Sequence, residues 1–300
     1  MKTLLANPDN QQFIEQVHQR TRNYVKSGIW ASISLDRLDR WIDQFDYYQY
    51  PFLGAVLLDN LLFKSKAQVL ATLEWLMTCP DLCYTFASDL ALTKSLSKKQ
   101  DPGVRLVPAI SFDKPPTKSG FYVLRLIQRL FRIYADWLIW PQKVIDWSPG
   151  ARLLIIVDDF LGSGDQFKDF VSITKLETFH KDHPEVRIVY LVLAAHADGI
   201  SAIQHNYPFV DVICADTLGK EYHLFDGARV DERYQRAVSA ELKKHYLDLA
   251  KKASLPLTGK VGPFGYGGQC LSYAFEHATP NNALPAYWYD TNNWEPLLDR

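Results

Sequence analysis

The sequence predicts an α/β protein with a doubly wound, mostly parallel sheet, a helical N-terminal region and a loop-rich C-terminal cap. Between residues 104 and 215, apolar segments typical of strands alternate with segments of helical periodicity. The segment 151–157 is apolar from residue 153 onward and shows no alternation, which is typical of a central strand buried on both faces. Residues 10–98 show helical periodicity instead.

Length and composition limit the classes of function. The 300 residues suffice for one large domain or two ordinary ones, and 47% of them are hydrophobic, so we expect a sizeable core. With 33 basic and 34 acidic residues, the chain shows no overall charge that would indicate binding to nucleic acid or to a membrane. The four cysteines lack zinc spacing, and no apolar run has spanning length, so we expect reduced thiols and a soluble, cytoplasmic protein.

A polar segment at 95–103 predicts a boundary between a helical region, 1–98, and an α/β domain, 99–300, which includes the cap 256–300. The predicted N-terminal helices cover 11–25, 35–45 and 55–77, the last broken near Lys64–Ser65. In the second region the predicted order is strand 105–112, helix 121–140, strand 151–157, helix 166–180, strand 186–195, helix 199–207 and strand 210–215. Pro108 suggests that the first of these strands lies at an edge or that the strand ends there.

A charged helix is expected at 233–252, and the tail from Leu257 combines glycine, proline and many aromatic residues. Such a composition predicts an ordered cap, because Phe264, Trp288 and Trp294 need burial. We expect the cap to fold over the carboxyl end of the sheet.

The central strand runs into two adjacent carboxylates, Asp158 and Asp159, followed by the turn Gly162-Ser163-Gly164 and a helix. Ligands of open α/β sheets bind at the carboxyl ends of strands. Glycines allow close backbone approach, and a helix start offers N–H groups to an anion. A ribose 5-phosphate fits this layout, with the carboxylates on its hydroxyls and the turn on its phosphate. The alternative is an acidic pair that only caps a turn. For a ligand site, we expect both side chains to end the strand near solvent, with at least one facing the ligand and the other bracing the loop, so that their replacement alters folding little. For the alternative, we expect their replacement to lower the thermal stability.

This segment resembles the phosphoribosyl-diphosphate motif of type I phosphoribosyltransferases, and Asp158, Asp159, Gly162, Ser163 and Gly164 match it residue by residue. The resemblance implies a phosphoribosyltransferase-like fold and a nucleotide or phosphoribosyl diphosphate as ligand. It implies catalytic roles for both carboxylates, and a Mg²⁺ cofactor that the ligand brings to them.

Two positions depart from the motif. The enzymes continue with glycine and threonine around the phosphate, where this chain has Asp165 and Gln166. Asp165 either repels a phosphate or turns away to cap the helix, and Gln166 offers a hydrogen bond to the ligand. A second, weaker match is Lys118-Ser119-Gly120, which resembles the diphosphate-binding loop. The alternative there is a helix cap at Ser119.

The tail carries a further motif, with Gly265-Tyr266-Gly267-Gly268 followed by His277 and by Thr279-Pro280-Asn281-Asn282. Together with the strand motif, it resembles the phosphoribosyltransferase-like family of prokaryotic conflict and antiphage defence systems, some of them retron-associated. The resemblance spans 100–300. It makes His277 a candidate acid or base and Asn281 and Asn282 candidate ligand-binding residues. His277 is otherwise a structural hydrogen-bonding group, and His196 is a weaker candidate at another strand end.

Three functions therefore stay open. The first is an enzyme, a pentosyltransferase or one that cleaves an N-glycosidic bond, serving as an antiviral defence effector. The second is a catalytically inactive nucleotide-sensing module whose helices dock other proteins of a defence complex. The third is a scaffold whose pocket is degenerate.

Overall fold

The computed structural model describes residues 8–84, 91–111, 119–146, 150, 152–225, 228–234 and 238–300. The chain forms two compact units: Met1–Lys66 with Lys220–Arg300, and Ala67–Gly219. Residues 67–98 thus belong to the same unit as the sheet, and the C-terminal tail belongs to that of the first helices. This grouping differs from the predicted division at residue 98, and the extent of the folding domains stays a prediction.

Helices and strands alternate through the middle of the chain. The helices are α1 Pro8–Lys26, α2 Leu35–Tyr47, α3 Pro51–Asn60, α4 Lys66–Thr78, α5 Pro80–Cys83, α6 Ala91–Leu96, α7 Ser119–Phe131, α8 Asp165–Thr174, α9 Leu176–Asp182, α10 Ala197–Asn206, α11 Ala228–Arg233, α12 Ser239–Lys252 and α13 Pro285–Trp288. The strands are β1 Leu62–Lys64, β2 Val104–Pro108, β3 Leu153–Leu161, β4 Arg187–His196, β5 Val210–Leu218, β6 Val261–Gly262, β7 Gly265–Tyr266 and β8 Tyr273–Phe275.

A parallel sheet with the order β2-β3-β4-β5 forms the core of the second unit. Strand β3 is central, and its residues from Leu153 to Asp159 are all buried, which explains why the segment lacks polar alternation. The predicted central position is therefore confirmed. Strand β2 ends at Pro108, as the proline suggested, although the N–H of the next residue, Ala109, still donates to the carbonyl oxygen of Val157 in β3 at 2.9 Å. An isolated parallel bridge joins Leu138 to Leu106 on the other side of β2.

Helices cover both faces of this sheet. Successive side chains of β3 point to opposite faces. On one face, Ser119 at the start of α7 contacts Asp159. On the other, Phe167 of α8 stacks on Tyr190, with ring centroids 4.5 Å apart, and the Tyr190 hydroxyl contacts Asp158. The prediction of a doubly wound, mostly parallel sheet is confirmed.

Two predicted helices were too long. Helix α7 ends at Phe131 rather than near residue 140, because Arg132 adopts a left-handed φ of 53° and the chain then returns to the sheet at Leu138. The predicted helix 166–180 is two helices, α8 and α9, separated by Lys175 at φ 53°. A left-handed residue interrupts the i to i−4 hydrogen bonds, and helical periodicity on both sides of it conceals the break.

The other unit packs the N-terminal helices with the C-terminal tail. The indole N–H groups of Trp41 and Trp294 both donate to the carbonyl oxygen of Ala286, each at 2.9 Å. Strand β1 pairs in parallel with β8, and Tyr287 is fully buried. The tail is therefore ordered, as its aromatic content predicted. Its expected placement over Asp158 stays a prediction.

The described part of the chain has no helix that combines the length and the apolar character needed to cross a bilayer.

Replacing Phe170 tests the core beneath the sheet. The side chain is fully buried on α8 beside Phe167. We expect Phe170→Ala to lower the free energy of unfolding by about 3–5 kcal/mol, because it removes a large apolar group and leaves a cavity. Trp75→Ala is the control, since Trp75 is 52% exposed and we expect a loss of about 1 kcal/mol or less. Urea denaturation followed by circular dichroism measures both, and equal losses would contradict the packing described.

Candidate functional site

The two adjacent carboxylates of β3 lie inside the strand, which continues to Leu161. Asp158 is 1% exposed and Asp159 is 7% exposed. The expectation that both side chains end the strand near solvent is therefore wrong. It failed because the strand extends past the carboxylates and the helices that cover both faces of the sheet bury them.

Asp158 is held by groups from several elements. Its Oδ1 accepts from the backbone N–H of Asp159 at 3.0 Å. Its Oδ2 accepts from Nε2 of Gln166 at 2.6 Å and from the hydroxyl of Tyr190 at 3.2 Å. The same Gln166 amide also donates to the carbonyl oxygen of Ala109, just beyond β2, at 2.9 Å. Asp158 therefore joins β3 to β4 and α8, and through Gln166 to the segment that follows β2.

Burial first, and then the neighbouring charge of Asp159, raise the pKa of Asp158 well above its ordinary value. Burial and the Asp158 carboxylate likewise raise the pKa of Tyr190, so its hydroxyl stays protonated. A buried carboxyl group that accepts hydrogen bonds from three donors suits a structural brace. One of the two carboxylates was expected to brace the loop, and Asp158 occupies that position.

Asp159 points to the other face of the sheet and accepts a hydrogen bond from Oγ of Ser119 at 2.7 Å. Ser119 begins α7, and the next residue, Gly120, is buried. A Cβ added to Gly120 would lie 3.4 Å from side-chain atoms of Pro108 and Ile110. Lys118, the first residue of the predicted diphosphate loop, lies outside the described residues. The structure thus brings Ser119 and Asp159 together, although they are 40 positions apart in the sequence.

The turn after β3 has the backbone that its glycines predict. Gly164 has a left-handed φ of 90° and directly precedes α8. Gly199, in the first turn of α10, lies so close that an added Cβ would stand 2.3 Å from the carbonyl oxygen of Gly162. The turn is therefore fixed by its own conformation and by the adjacent helix.

Asp165 and Gln166, the two departures from the motif, both make hydrogen bonds within the protein. Oγ of Ser163 donates to Oδ2 of Asp165 at 2.8 Å, and the backbone N–H of Asp165 lies 3.4 Å from the same Oγ. Asp165 is exposed in the first turn of α8, where a negative charge stabilises the helix. Gln166 binds Asp158 and Ala109 instead of facing the turn.

His196 is fully buried and caps α10, with its Nδ1 accepting from the backbone N–H of Asp198 at 3.2 Å. This contact gives the histidine at the end of β4 a structural role, and a role of His196 in ligand binding stays a prediction.

The tail motif lies in the other unit. The ring of His277 stacks on Phe275, with centroids 5.1 Å apart. The backbone oxygen of Asn281 accepts from the N–H of Tyr266 at 2.7 Å, and Nδ2 of Asn282 donates to the oxygen of Tyr266 at 3.2 Å. An added Cβ on Gly265 would lie 2.6 Å from the oxygens of Asn282 and Ala283. The segment 265–266 therefore packs directly against Asn281 and Asn282. The ligand-binding roles of His277, Asn281 and Asn282 stay predictions.

Oδ2 of Asp158 already accepts hydrogen bonds from Gln166 and Tyr190, so a metal ion at this oxygen would have to displace one of them. Within the described ranges, no three His, Cys, Asp or Glu side chains form a group that could hold a metal ion. The Mg²⁺ ion that the ligand would bring to Asp158 and Asp159 therefore stays a prediction.

Sequence reasoning missed Tyr190 and Gly199. Tyr190 is the one polar side chain between Ile188 and Ala195 of β4, and a buried tyrosine hydroxyl usually has a hydrogen-bond partner. That signal indicates a polar group on the neighbouring strand. The role of Gly199 has no such signal, because close approach to Gly162 depends on the packing of two separate elements.

A model of the PRTase-CE family matches residues 38–300. Among solved structures, an orotate phosphoribosyltransferase from Aeropyrum pernix is 13% identical, with a TM-score of 0.31, and the match covers 51% of this chain and 72% of that one. The AQ2163 protein from Aquifex aeolicus is 11% identical, also with a TM-score of 0.31, over 57% of this chain and 85% of that one. No curated protein matches the sequence.

The titration of Asp158 predicts a pH dependence that Asp158→Asn removes. The raised pKa means that the folded state keeps a proton which the unfolded chain releases near pH 4. Above that pH, rising pH therefore destabilises the wild type relative to the variant, by up to roughly 1 kcal/mol per pH unit until the folded state also loses the proton. Urea denaturation of both proteins from pH 4 to 8 measures the difference.

Asp182→Asn, at an exposed position on α9, controls for the loss of one surface charge. Parallel stability curves for wild type and Asp158→Asn across this range would contradict the assignment of a proton to Asp158.

Proposed function

The chain belongs to the PRTase-CE family, and we propose that it binds a phosphoribosyl-type ligand, a nucleotide or phosphoribosyl diphosphate, at the carboxyl end of β3. The observation that supports this most directly is the arrangement of one strand end. The carboxylate of Asp159, which Ser119 orients, lies shortly before the turn that contains the left-handed Gly164. Helix α8 begins directly after this turn, at the carboxyl end of an inner strand of a parallel sheet.

The two carboxylates would have different tasks. Asp159 would accept hydrogen bonds from ribose hydroxyls, and the Ser119 hydroxyl would hold it in the required rotamer. Asp158 would act as a positioning residue, because its oxygens bind Gln166, Tyr190 and the backbone N–H of Asp159. The turn 162–164 and the start of α8 would lie at the phosphate.

For a transferase or glycosidic-bond-cleaving enzyme, the bond between ribose C1′ and its leaving group breaks with both electrons departing on that group. An acceptor then supplies the electrons for the new bond at C1′. Such a reaction needs stabilisation of positive charge on the ribose more than it needs a protein nucleophile. We assign that role to Asp159. A ligand-borne Mg²⁺ would supply charge neutralisation on a diphosphate.

A second candidate is a binding module without catalysis. The hydrogen bonds of Asp165 and Gln166 favour it. The Ser163 hydroxyl and the Gln166 amide, which could donate to a phosphate, donate to Asp165 and Asp158 instead. Such a module would sense a nucleotide and transmit its presence to other proteins. The two candidates share the binding site and differ in whether products form.

We further propose that the protein serves as an effector in a bacterial defence system, retron-associated in some genomes. The support is the resemblance of the strand motif and tail motif, in this order, to proteins of conflict systems. The test is a plaque assay with a panel of phages on cells that express the chain with its neighbouring genes. We expect protection to be lost with Asp159→Asn, and equal protection by that variant would contradict a role for this site.

Asp159→Asn tests ligand binding directly. Asparagine retains the shape and an oxygen for Ser119 but removes the charge that strengthens hydrogen bonds to ribose. We expect affinity to fall about tenfold to a hundredfold with a small change in melting temperature. Purified protein is incubated with phosphoribosyl diphosphate and nucleotides in the presence of Mg²⁺, and mass spectrometry identifies retained ligands and products.

Asp182→Asn serves again as the surface control and should bind like the wild type. Retention of no compound by the wild type, or equal affinity in wild type and Asp159→Asn, would overturn the proposed function. Ligand retention without products would select the sensing module over the enzyme.

A further inference from the structure

Basic residues are concentrated in one part of a chain whose charges balance overall. The segments 91–111 and 119–134 together contain seven basic residues and one acidic residue, Asp101. Arg105 binds that carboxylate through two of its nitrogens, at 2.9 and 2.7 Å, so the two charges neutralise each other. The other six basic side chains are exposed, and we call them the basic face: Lys94, Lys98, Lys99, Arg125, Arg129 and Arg132. Within the described part of the chain, none of these six forms an ion pair.

Two separate segments contribute to the basic face, and the fold brings them together. The backbone N–H of Tyr134 donates to the carbonyl oxygen of Leu96 at 2.9 Å, and the indole N–H of Trp137 donates to that of Lys98, also at 2.9 Å. Nζ of Lys99 lies 5.9 Å from the ring centroid of Tyr134. The lysines that follow α6 therefore lie beside the residues that follow α7.

The exposed side of α7 carries aromatic rings at one end and arginines along its length. Phe121, Arg125 and Arg129 follow one another at intervals of four residues, so they form one row on the helix. Trp140, which is 63% exposed, packs edge-on against Phe121, with ring centroids 5.4 Å apart. The row of rings and arginines thus extends over more than two turns of α7.

This row of like charges does not serve the stability of α7. Two cations four residues apart repel each other, which is unfavourable for a helix. The negative end of the helix dipole accounts for Arg129, which lies in the last turn, but not for Arg125 one turn earlier. A partner that carries negative charge gives the arrangement a purpose.

The exposed ring of Trp140 beside the cations indicates which polyanion fits. Backbone phosphates of a nucleic acid interact with lysine and arginine, and an unpaired base offers a flat face that stacks on an aromatic side chain. An acidic protein needs the cations but not the ring, and the bases of a duplex are already stacked on each other. The balanced total charge conceals this surface, because acidic residues elsewhere in the chain offset it.

We propose that the basic face and Trp140 bind single-stranded nucleic acid, with the backbone phosphates on the cations and a base on the indole ring. The proposal does not depend on the ligand at the carboxyl end of β3, since none of these seven residues is assigned to that site.

The test measures binding of the full chain to a fluorescein-labelled oligothymidylate of about 16 nucleotides by fluorescence anisotropy. The first variant replaces Arg125 and Arg129 together by glutamine. Because two phosphate contacts are lost, we expect affinity at about 0.1 M salt to fall about tenfold to thirtyfold, and the slope of log K against log salt to shrink by about 1.4. The melting temperature should be unchanged or higher, since the repulsion between the two arginines is removed.

Two further variants separate charge from stacking. Arg125→Lys combined with Arg129→Lys is the matched control, because it keeps both charges and should keep the wild-type salt slope. Trp140→Ala should weaken binding about fivefold or more and leave the slope unchanged, since it removes a stacking surface and no charge.

A wild type that does not bind the oligonucleotide would overturn the proposal, as would equal affinity in the double glutamine variant or in Trp140→Ala. Equally tight binding of a polyglutamate peptide would also overturn it and would indicate an acidic protein as the partner. A DNA hairpin that binds as tightly as the single strand would exclude the stacked base. Each of these results leaves the proposed function standing, because Asp159→Asn and phosphoribosyl diphosphate test that site separately.

Discussion

The buried carboxyl group of Asp158 connects the elements on which the candidate site is built. It accepts hydrogen bonds from α8, from β4 and from its own neighbour in β3, and Gln166 extends the connection to Ala109. Burying a carboxyl group is unfavourable unless its oxygens have partners, and here three donors fulfil that need. The raised pKa follows from the same burial, since the neutral form is easier to keep in the interior. The position of the turn after β3 depends on this network.

Adjacent residues of one strand can hold such different roles because their side chains point to opposite faces. Asp158 faces the aromatic layer formed with α8, where Tyr190 is stacked on Phe167. Asp159 faces α7 and receives the hydroxyl of Ser119. Sheet geometry therefore gives the two aspartates different partners, although their carboxyl groups also interact with each other and raise the pKa of Asp158. The two aspartates differ in their hydrogen-bond partners because a different helix covers each face of the sheet, α8 at Asp158 and α7 at Asp159.

The turn shows a comparable division between folding and binding. A carboxylate in the first turn of α8 stabilises the helix through its dipole, and the same carboxylate repels an anion that approaches the helix. Gly164 and Gly199 are required for backbone reasons alone, one by its positive φ and the other by close packing.

Much of the fold was accessible from local patterns. The apolar run before Asp158 indicated a central strand, the strand–helix alternation indicated the parallel sheet, and Pro108 marked a strand end, because each follows from periodicity or from the covalent geometry of one residue. The break in the predicted helix at Lys175 was not accessible, since a left-handed lysine leaves no sign in a helical pattern.

For the candidate site, the sequence by itself determined which residue types gather at the end of β3: two carboxylates, a glycine turn and a helix start. Only the tertiary structure decided that Asp158 is enclosed by Gln166 and Tyr190 while Asp159 meets Ser119. It also joined the aromatic tail to the N-terminal helices through Trp41 and Ala286, where the sequence had predicted a separate helical region. Burial, pKa and partnership depend on which distant segments pack together, and local sequence patterns contain no record of that packing.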